Sequence, residues 1–261
     1  MRKLGQHFLK NKSALQLIAG SLDLTPGDVV IEIGPGHGEL TEFLLSSPVS
    51  RIVLIEKDER LSRLLIEKFQ GDARITVIAG DALNILRGVA NVQGFSPHGY
   101  KVIGNIPYYI TGHLFRILGE LDPKPEQCSF TIQKEVAERV CASAPHMNRL
   151  AASVQLWARA KIIATLPAGD FSPPPKVSSA IIALTTTEPA RPNDENYYIA
   201  VRALFAQPRK TLSNNLAGAT HEKGDVVAKK LSMAGINPSG RPQNLSVKDI
   251  LVIAESFFDK T

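Results

Sequence analysis

Short apolar runs recur along the first half of the chain, and the intervals between them are long enough for a helix. The runs are Val29–Ile33, Ile52–Ile55, Ile75–Ile78, Lys101–Ile103 and Phe130–Ile132. The intervening segments carry apolar residues at helical spacing, as in Leu40, Phe43 and Leu44. This alternation predicts an α/β domain whose mostly parallel sheet is covered by helices on both faces.

The pattern changes after Pro145. Arg159–Leu166 and Val177–Leu184 are extended segments joined by a proline-containing connection, which predicts an antiparallel pair at the end of the sheet. Thr185–Pro192 has the composition of a linker. Beyond it the spacing predicts the helices Tyr197–Gln207, Thr211–Leu216, Val226–Met233 and Val247–Phe258. We therefore expect one large domain over residues 1–185 and a small all-helical domain over residues 186–261.

Composition narrows the class of protein. No apolar run approaches the roughly 20 residues of a membrane helix, and no signal peptide is evident, so we expect a cytoplasmic protein. Cys128 and Cys141 lack the spacing of a zinc site, and we expect no metal. The net charge of +5 favours an anionic partner. Basic residues cluster near the N-terminus and in the C-terminal quarter of the chain, where they are either phosphate contacts or ordinary solvated surface. They are Arg2, Lys3, Lys10, Lys12, Arg209 and Lys210.

A glycine-rich loop follows the first predicted strand. It reads Gly34-Pro35-Gly36-His37-Gly38 and precedes a predicted helix. Glycines there let backbone N–H groups and a helix N-terminus approach a ligand, although a structural tight turn would use the same residues. The next strand ends in Glu56, at the offset of about 20 residues where nucleotide-binding sheets place a carboxylate for ribose hydroxyls. We expect a cofactor that contains a nucleoside.

The glycine spacing narrows the choice of cofactor. Glycines at 34, 36 and 38 depart from the G-x-G-x-x-G dinucleotide fingerprint. With the preceding residues they resemble the E-I-G-x-G-x-G loop of class I methyltransferases. The third strand leads into Asp81, a second carboxylate at the carboxyl edge of the sheet. By this resemblance, Glu56 holds the ribose and Asp81 holds the adenine of S-adenosylmethionine.

The fourth strand leads into Asn105-Ile106-Pro107-Tyr108, which resembles the N/D-x-P-Y/F motif of enzymes that methylate exocyclic amines. The lone pair of adenine N6 is delocalised into the ring, so its attack on a sulfonium methyl group needs acceptors for the amine hydrogens. The Asn105 side-chain oxygen and the Ile106 carbonyl can accept them. Pro107 favours extended geometry at Ile106, and Tyr108 offers a face for an extruded base. A turn with a packed tyrosine is the alternative, disfavoured by the glycine loop and the two acids.

A second aromatic candidate begins a proline-stiffened loop. The loop reads Phe171-Ser172-Pro173-Pro174-Pro175-Lys176-Val177-Ser178-Ser179. Such a loop can hold a ring over a pocket at low entropic cost, but Phe171 can equally be a core residue in a rigid connector. The residues alone leave both interpretations open.

Four elements together resemble one family: Leu4-Gly5-Gln6-His7-Phe8-Leu9, the glycine loop, Asn105–Tyr108 and Phe171–Ser179. The segment 205–216 also resembles the family's F-x-x-R-R-K-T-L-x-N-N-L. The family is the ribosomal RNA adenine dimethyltransferases of the kasugamycin-susceptibility type, and the resemblance spans nearly the whole chain. It implies a Rossmann-like class I methyltransferase sheet with a helical C-terminal domain. It also implies a monomer that transfers four methyl groups to two adjacent adenines of small-subunit rRNA, in the small ribosomal subunit or its precursor.

The resemblance carries residue roles with it. It implies cofactor contacts from His7, Leu9, Gly34, Gly36, Glu56, Asp81 and Asn105. It implies catalytic or base contacts from Asn105, Ile106, Pro107, Tyr108 and Phe171, and RNA contacts from Arg209 and Lys210. The chain departs from the family pattern at His7, where many bacterial members have asparagine, at Pro208, where arginine is usual, and at Met147–Arg149, where a tyrosine-containing stretch is usual.

Three alternative functions compete with this one. An erythromycin-resistance-type methyltransferase would modify large-subunit rRNA, but Leu4–Leu9 and Arg209–Leu216 favour the small-subunit family. A non-catalytic RNA-binding assembly or transcription factor could use the same fold. The presence of Asn105, Pro107 and Tyr108 argues against it. The glycine spacing disfavours a nicotinamide dehydrogenase.

Overall fold

The computed structural model describes residues 7–90, 99–187 and 194–259. The described residues form two compact units, one within Met1–Glu138 and Arg159–Thr186 and the other within Arg139–Ala158 and Thr187–Thr261. Arg2, Lys3, Leu4–Gln6 and most of the expected linker lie outside the described residues. The described ranges contain no helix with the length and apolar character needed to cross a membrane.

Two sheets are found in the described part of the first unit. The strands are β1 (Phe8–Leu9), β2 (Val29–Ile33), β3 (Arg51–Glu56), β4 (Ile75–Ala79), β5 (Tyr100–Asn105), β6 (Gln127–Gln133), β7 (Ala158–Leu166), β8 (Phe171–Ser172) and β9 (Ser179–Thr186). The large sheet has the order β4-β3-β2-β5-β6-β9-β7, and β1 pairs with β8 in a separate sheet. Strands β2 to β6 run parallel, whereas β9 pairs antiparallel with β6. The predicted fold class, a mostly parallel sheet with an antiparallel strand towards its end, is confirmed.

Helices separate the parallel strands along the chain. They are α1 (Lys12–Gly20), α2 (Glu39–Leu45), α3 (Glu59–Phe69), α4 (Ala82–Ala90), α5 (Thr111–Glu120) and α6 (Lys134–Val140). Polar caps fix where several of them begin: the Asn11 side chain accepts from Ala14 N, and the Asp58 side chain accepts from Arg60 N. These caps satisfy N–H groups that have no partner within the helix. The candidate site residues lie at the strand ends and in the short loops that lead from them into these helices.

Branched apolar side chains form the core on both faces of the large sheet. Val30, Ile52 and Leu54 are fully buried on β2 and β3 and pack with Leu44 and Leu65 of the covering helices. Strands buried on both faces read as continuous apolar runs, which is why the sequence showed them clearly. The two-residue strands β1 and β8 were not predicted, because two residues carry no periodicity.

The second unit is helical. Its helices are α7 (Arg149–Gln155), α8 (Asp194–Leu204), α9 (Leu212–Thr220), α10 (Gly224–Met233) and α11 (Val247–Phe258). The unit includes residues 139–158, which the sequence analysis placed in the first domain. The reason is packing: Ala151 and Ala152 of α7 lie in one apolar cluster with Tyr197 and Val201 of α8, and the Tyr197 hydroxyl donates to Ala152 O at 3.0 Å. The division at residue 185 was drawn from the linker composition, which carries no sign of this earlier segment.

Candidate functional site

The carboxyl ends of β2, β3, β4 and β5 border a cavity that opens to solvent. The cavity brings together nine of the site residues predicted from the sequence. They are His7, Gly34, Gly36, Glu56, Asp81, Asn105, Ile106, Pro107 and Tyr108. These residues come from four strand ends and from the segment before β1, which are far apart in the chain but adjacent at this edge of the sheet.

The glycine loop after β2 requires glycine on conformational grounds. Gly34, Gly36 and Gly38 have φ values of 64°, 63° and 85°, in the left-handed region that L-residues rarely adopt. A Cβ on Gly36 would also lie 2.8 Å from the Phe8 ring. A Cβ on Gly34 would meet no atom within 4 Å. The loop therefore keeps its backbone accessible on the side that lines the cavity.

Glu56 lies at the end of β3 and is 2% exposed. Its two carboxylate oxygens accept backbone N–H groups, Oε2 from Gly36 at 3.1 Å and Oε1 from Asp58 at 2.9 Å. Burial raises the pKa of Glu56 above its ordinary value, and these backbone hydrogen bonds oppose the rise. The carboxylate is thus fixed between the glycine loop and α3, and its remaining lone pairs can accept from a ligand's hydroxyls.

Asp81 follows β4 and is held at both oxygens. Oδ1 accepts from Leu83 N at 3.0 Å, and Oδ2 accepts from Lys57 Nζ at 2.7 Å. Burial by itself would raise the pKa of Asp81, but the hydrogen bonds and charge of Lys57, with the Leu83 bond, lower it below its ordinary value. Asp81 is therefore an ionised acceptor. Sequence analysis missed Lys57, because a lysine one residue after a strand carries no signal of which carboxylate it meets.

A third acid, Glu32, lies beneath the glycine loop in β2. It is fully buried and accepts a hydrogen bond from Thr41 Oγ1 of α2 at 2.7 Å. Burial raises the pKa of Glu32 to about 8, with smaller contributions from the charges of Glu39 and Glu56. Glu32 is therefore mostly protonated at neutral pH, and the carboxylates that line the cavity are Glu56 and Asp81, the latter paired with Lys57.

Asn105 ends β5 on the other side of the cavity. Its Nδ2 donates to the main-chain carbonyl oxygen of His7 at 2.6 Å. Because a carbonyl can only accept, the amide nitrogen must face His7, and Oδ1 is left to accept from a ligand. The next residue is fixed as well, since Ile106 N donates to Thr131 O of β6 at 3.0 Å. This arrangement presents the acceptor that the sequence analysis required of Asn105.

Tyr108 lies in the turn that follows Pro107. Its hydroxyl shares a hydrogen bond with buried Ser179 Oγ at 2.7 Å. Its ring stacks loosely with the His7 imidazole, with centroids 5.9 Å apart and planes at 26°. Tyr109 lines the cavity and is 64% exposed. The turn thus offers aromatic surface beside the Asn105 amide.

Leu9 and Phe171 do not line the cavity. They are paired across β1 and β8 and lie in the hydrophobic core, with 3% and 4% of their surface exposed. The Phe171 ring therefore lies in the core and not among the residues that line this cavity, and its contact with the target base, like the cofactor contact of Leu9, stays a prediction. The other interpretation of Phe171, as a core residue at the start of a rigid connector, matches its burial in the structure. The physical reason is the pairing with β1, which draws Phe171 into the core.

Arg209 and Lys210 are exposed in the helical unit, in the loop before α9. Asn215, which is buried, holds this loop: its Oδ1 accepts from Gln207 N, and its Nδ2 donates to the carbonyls of Gln207, Lys210 and Thr211. The two cations are therefore carried on a fixed backbone. Sequence analysis named the segment but gave no role to Asn215, since a buried amide on a helix has no pattern of its own.

The family model for ribosomal RNA adenine dimethylases matches residues 1–259. A protein of Dehalococcoides mccartyi (strain CBDB1) named ribosomal RNA small subunit methyltransferase A is 36% identical over 249 residues, covering 94% of this chain and 84% of that protein. A protein of the same name from Parasynechococcus marenigrum is 37% identical over 256 residues, covering 94% and 83%.

Two crystal structures are similar to this chain over nearly its whole length. A dimethyladenosine transferase from Plasmodium falciparum has a TM-score of 0.79 and 25% identity, with 95% of this chain and 96% of that chain covered. The 23S rRNA methyltransferase ErmE has a TM-score of 0.74 and 25% identity, with 97% and 100% covered. Both the large sheet and the helical segment thus have counterparts in solved methyltransferases.

Proposed function

The chain belongs to the ribosomal RNA adenine dimethylase family, and we propose that it transfers methyl groups from S-adenosylmethionine to N6 of two adjacent adenines near the 3′ end of small-subunit rRNA during ribosome assembly. The observation that carries the proposal is the Asn105 amide, whose nitrogen is bound to His7 O and whose oxygen is left as an acceptor beside the cavity. The small-subunit target rests on the names of the curated relatives.

The residues around the cavity fit S-adenosylmethionine. Glu56 presents a buried carboxylate suited to ribose hydroxyls, and Asp81 presents an ionised acceptor suited to the adenine amine. The open backbone at Gly34 leaves room for the rest of the ligand. When bound, S-adenosylmethionine supplies an electrophilic methyl group on a sulfonium sulfur. Glu56 adds a carboxylate to the lining of the cavity, whereas the charge of Asp81 is balanced by Lys57, which lines the cavity as well.

Asn105 prepares the nucleophile. Its Oδ1 accepts one N6 hydrogen of the target adenine, and the Ile106 carbonyl accepts the other, so the nitrogen lone pair is withdrawn from ring delocalisation. A carboxamide is not a useful base near neutral pH, so the proton leaves to solvent after transfer. The rate gain then comes from positioning and from electrostatic complementarity to the developing charge on nitrogen.

Tyr108 holds the extruded base. Its ring provides the flat surface on which an adenine stacks, and the bond to Ser179 keeps the ring in place. Arg209 and Lys210, on the loop fixed by Asn215, contact RNA phosphates. These contacts select no sequence, so they position the substrate whereas the cavity selects the base. The monomeric state expected from the sequence stays a prediction.

Mass spectrometry of rRNA after incubation with isotopically labelled S-adenosylmethionine tests the proposal. Purified small and large ribosomal subunits lacking these modifications would be offered together. We expect labelled dimethyladenosine at two adjacent positions near the 3′ end of small-subunit rRNA. Label in large-subunit rRNA would support the erythromycin-resistance-type alternative. Binding to small subunits without any label would support a non-catalytic assembly factor.

A further inference from the structure

His7 contacts three separate parts of the site. Its carbonyl oxygen accepts from Asn105 Nδ2 at 2.6 Å, its Nδ1 lies 2.7 Å from the Pro173 carbonyl oxygen, and its ring stacks loosely with Tyr108. The residue thus links the segment before β1 to the end of β5 and to the proline loop. The main-chain carbonyl of His7 therefore contacts the Asn105 amide, and its ring contacts the Tyr108 ring. Asn105 and Tyr108 are the two residues proposed to bind the target base.

The segment that carries His7 is itself fixed on the proline loop. In β1, Phe8 is opposite Ser172 and Leu9 is opposite Phe171. Just beyond β1, Lys10 N donates to Asp170 O at 2.8 Å, and Asn11 Nδ2 donates to Asp170 Oδ1 at 2.7 Å. The Pro173 carbonyl continues this row of contacts to His7. Because a carbonyl only accepts, the imidazole must carry its hydrogen on Nδ1 and donate it to Pro173.

We propose that His7 is a positioning residue for methyl transfer: its Nδ1–H, anchored on the Pro173 carbonyl, fixes the His7 main-chain carbonyl that orients the Asn105 amide. The inference rests on the proposed function of Asn105. A carboxamide presents an acceptor on one side and a donor on the other, so a rotated Asn105 would turn Nδ2 towards the N6 amine. Two donors would then face each other, and the amine would lose the acceptor that frees its lone pair.

The position of the hydrogen-bond donor within the side chain at position 7 distinguishes the possible substitutions of His7. Asparagine carries a donor nitrogen on Cγ, as histidine does at Nδ1, whereas the donor of glutamine lies one bond further out. His7→Asn can therefore keep the bond to Pro173, and His7→Gln cannot keep it in the same place. His7→Phe keeps a flat ring beside Tyr108 but has no donor.

The test is single-turnover methyl transfer to small ribosomal subunits, with S-adenosylmethionine affinity measured separately by calorimetry. We expect His7→Phe and His7→Gln to lower the rate constant at saturating cofactor about five- to tenfold, as loss of one hydrogen bond predicts. His7→Asn should stay within about threefold of wild type. In an Asn105→Ala background, His7→Phe should cause no further loss, because His7 acts through Asn105. His146→Phe, an exposed histidine of the helical unit, controls for the substitution itself.

Three results would overturn the proposal: equal rates in His7→Phe and His7→Asn, a loss confined to cofactor affinity, or full additivity with Asn105→Ala. A measurement without catalysis separates this from failure of the proposed function. In NMR spectra, the Asn105 side-chain amide hydrogens should be protected from exchange in wild type and His7→Asn and exposed in His7→Phe. If wild type methylated no small-subunit rRNA, the proposed function would fail, and unchanged protection in His7→Phe would then reject the positioning role separately.

Discussion

The cavity has two unlike sides. On the acidic side, formed by the Gly34–Gly38 loop, Glu56, Lys57 and Asp81, the polar contacts of the two carboxylates link residues that are 2 to 24 positions apart. On the amide side, formed by His7 and Asn105–Tyr108, the polar side-chain contacts span 71, 98 and 166 positions. The acidic side is thus built by residues of neighbouring strand ends within 24 positions of one another, whereas the amide side depends on contacts between segments 71 or more positions apart.

The two sides also differ in charge, and we infer that they do different work. The acidic side presents carboxylates, which bind a cation and its hydroxyls, so a change there should alter cofactor affinity. The amide side presents neutral acceptors and aromatic surface, so a change there should alter the rate at saturating cofactor. The substitutions of Asn105, Glu56 and Tyr108 below test this separation.

Asn105→Ala should have the largest effect. It removes the acceptor that frees the N6 lone pair, and we expect the single-turnover rate to fall by roughly 10²–10³-fold, as when one stabilising hydrogen-bond partner of a transition state is deleted. RNA affinity should change little. Asn105→Asp should keep more activity than alanine, because it retains an acceptor. It should remain below wild type, because its second oxygen would face the His7 carbonyl, where Nδ2 now donates.

Glu56→Gln tests the acidic side. It removes the charge but keeps polar atoms near the Gly36 and Asp58 N–H groups. Loss of charge-assisted hydrogen bonds should weaken S-adenosylmethionine binding by about 1–3 kcal/mol. Calorimetry on the folded variant measures this. Unchanged affinity would remove Glu56 from the ribose role.

The same variant gives a pH test. The ionised carboxylate is the form that accepts ribose hydroxyls, and burial raises the pKa of Glu56 above its ordinary value, whereas Lys57 helps lower that of Asp81. As pH falls, Glu56 should therefore be protonated before Asp81. Cofactor affinity should decline on acidification, and the decline should begin at a higher pH than an exposed glutamate would cause. Glu56→Gln should abolish that first decline, and a parallel profile for variant and wild type would contradict the assignment.

The sequence predicted the acidic side of the cavity more completely than the amide side. Glu56 and Asp81 were predicted because each follows an apolar strand, and strand order alone brings parallel strand ends together. Asn105 and Tyr108 were found as a motif and His7 by resemblance. The contacts Asn105–His7, Tyr108–Ser179 and His7–Pro173 were not predicted, because no local pattern records a contact across 71 to 166 positions. Phe171 was assigned to the pocket by resemblance, while its pairing with β1 draws it into the core.

On the amide side, two substitutions of Tyr108 distinguish the role of its ring from the role of its hydroxyl. Tyr108→Ala should cost about 1–3 kcal/mol of base stacking, seen as weaker binding of the extruded adenine. Tyr108→Phe keeps the ring but leaves buried Ser179 without that partner, so it should cost only about 1 kcal/mol. Fluorescence of 2-aminopurine placed at the target position reports stacking directly. Equal losses in the two variants would show that the hydroxyl, and not the ring, is what matters.

The smallest effect per residue is expected outside the cavity. Replacing Arg209 and Lys210 with alanine should weaken RNA binding broadly and reduce the slope of log K against log salt by about one to two units, because two phosphate contacts are lost. Methyl transfer at saturating RNA should be unchanged. An unaltered slope would make these residues ordinary solvated surface.

The most direct test of the separation is a comparison of Glu56→Gln and Asn105→Ala on one substrate. Single-turnover methyl transfer to small ribosomal subunits would be followed over a series of S-adenosylmethionine concentrations. We expect Glu56→Gln to raise the half-saturating concentration by about tenfold or more while the plateau rate stays within a few-fold of wild type. Asn105→Ala should act chiefly on the plateau rate, lowered by roughly 10²–10³-fold, with a much smaller change in the half-saturating concentration. If Glu56→Gln lowered the plateau as far as Asn105→Ala does, the two sides would not have separate tasks.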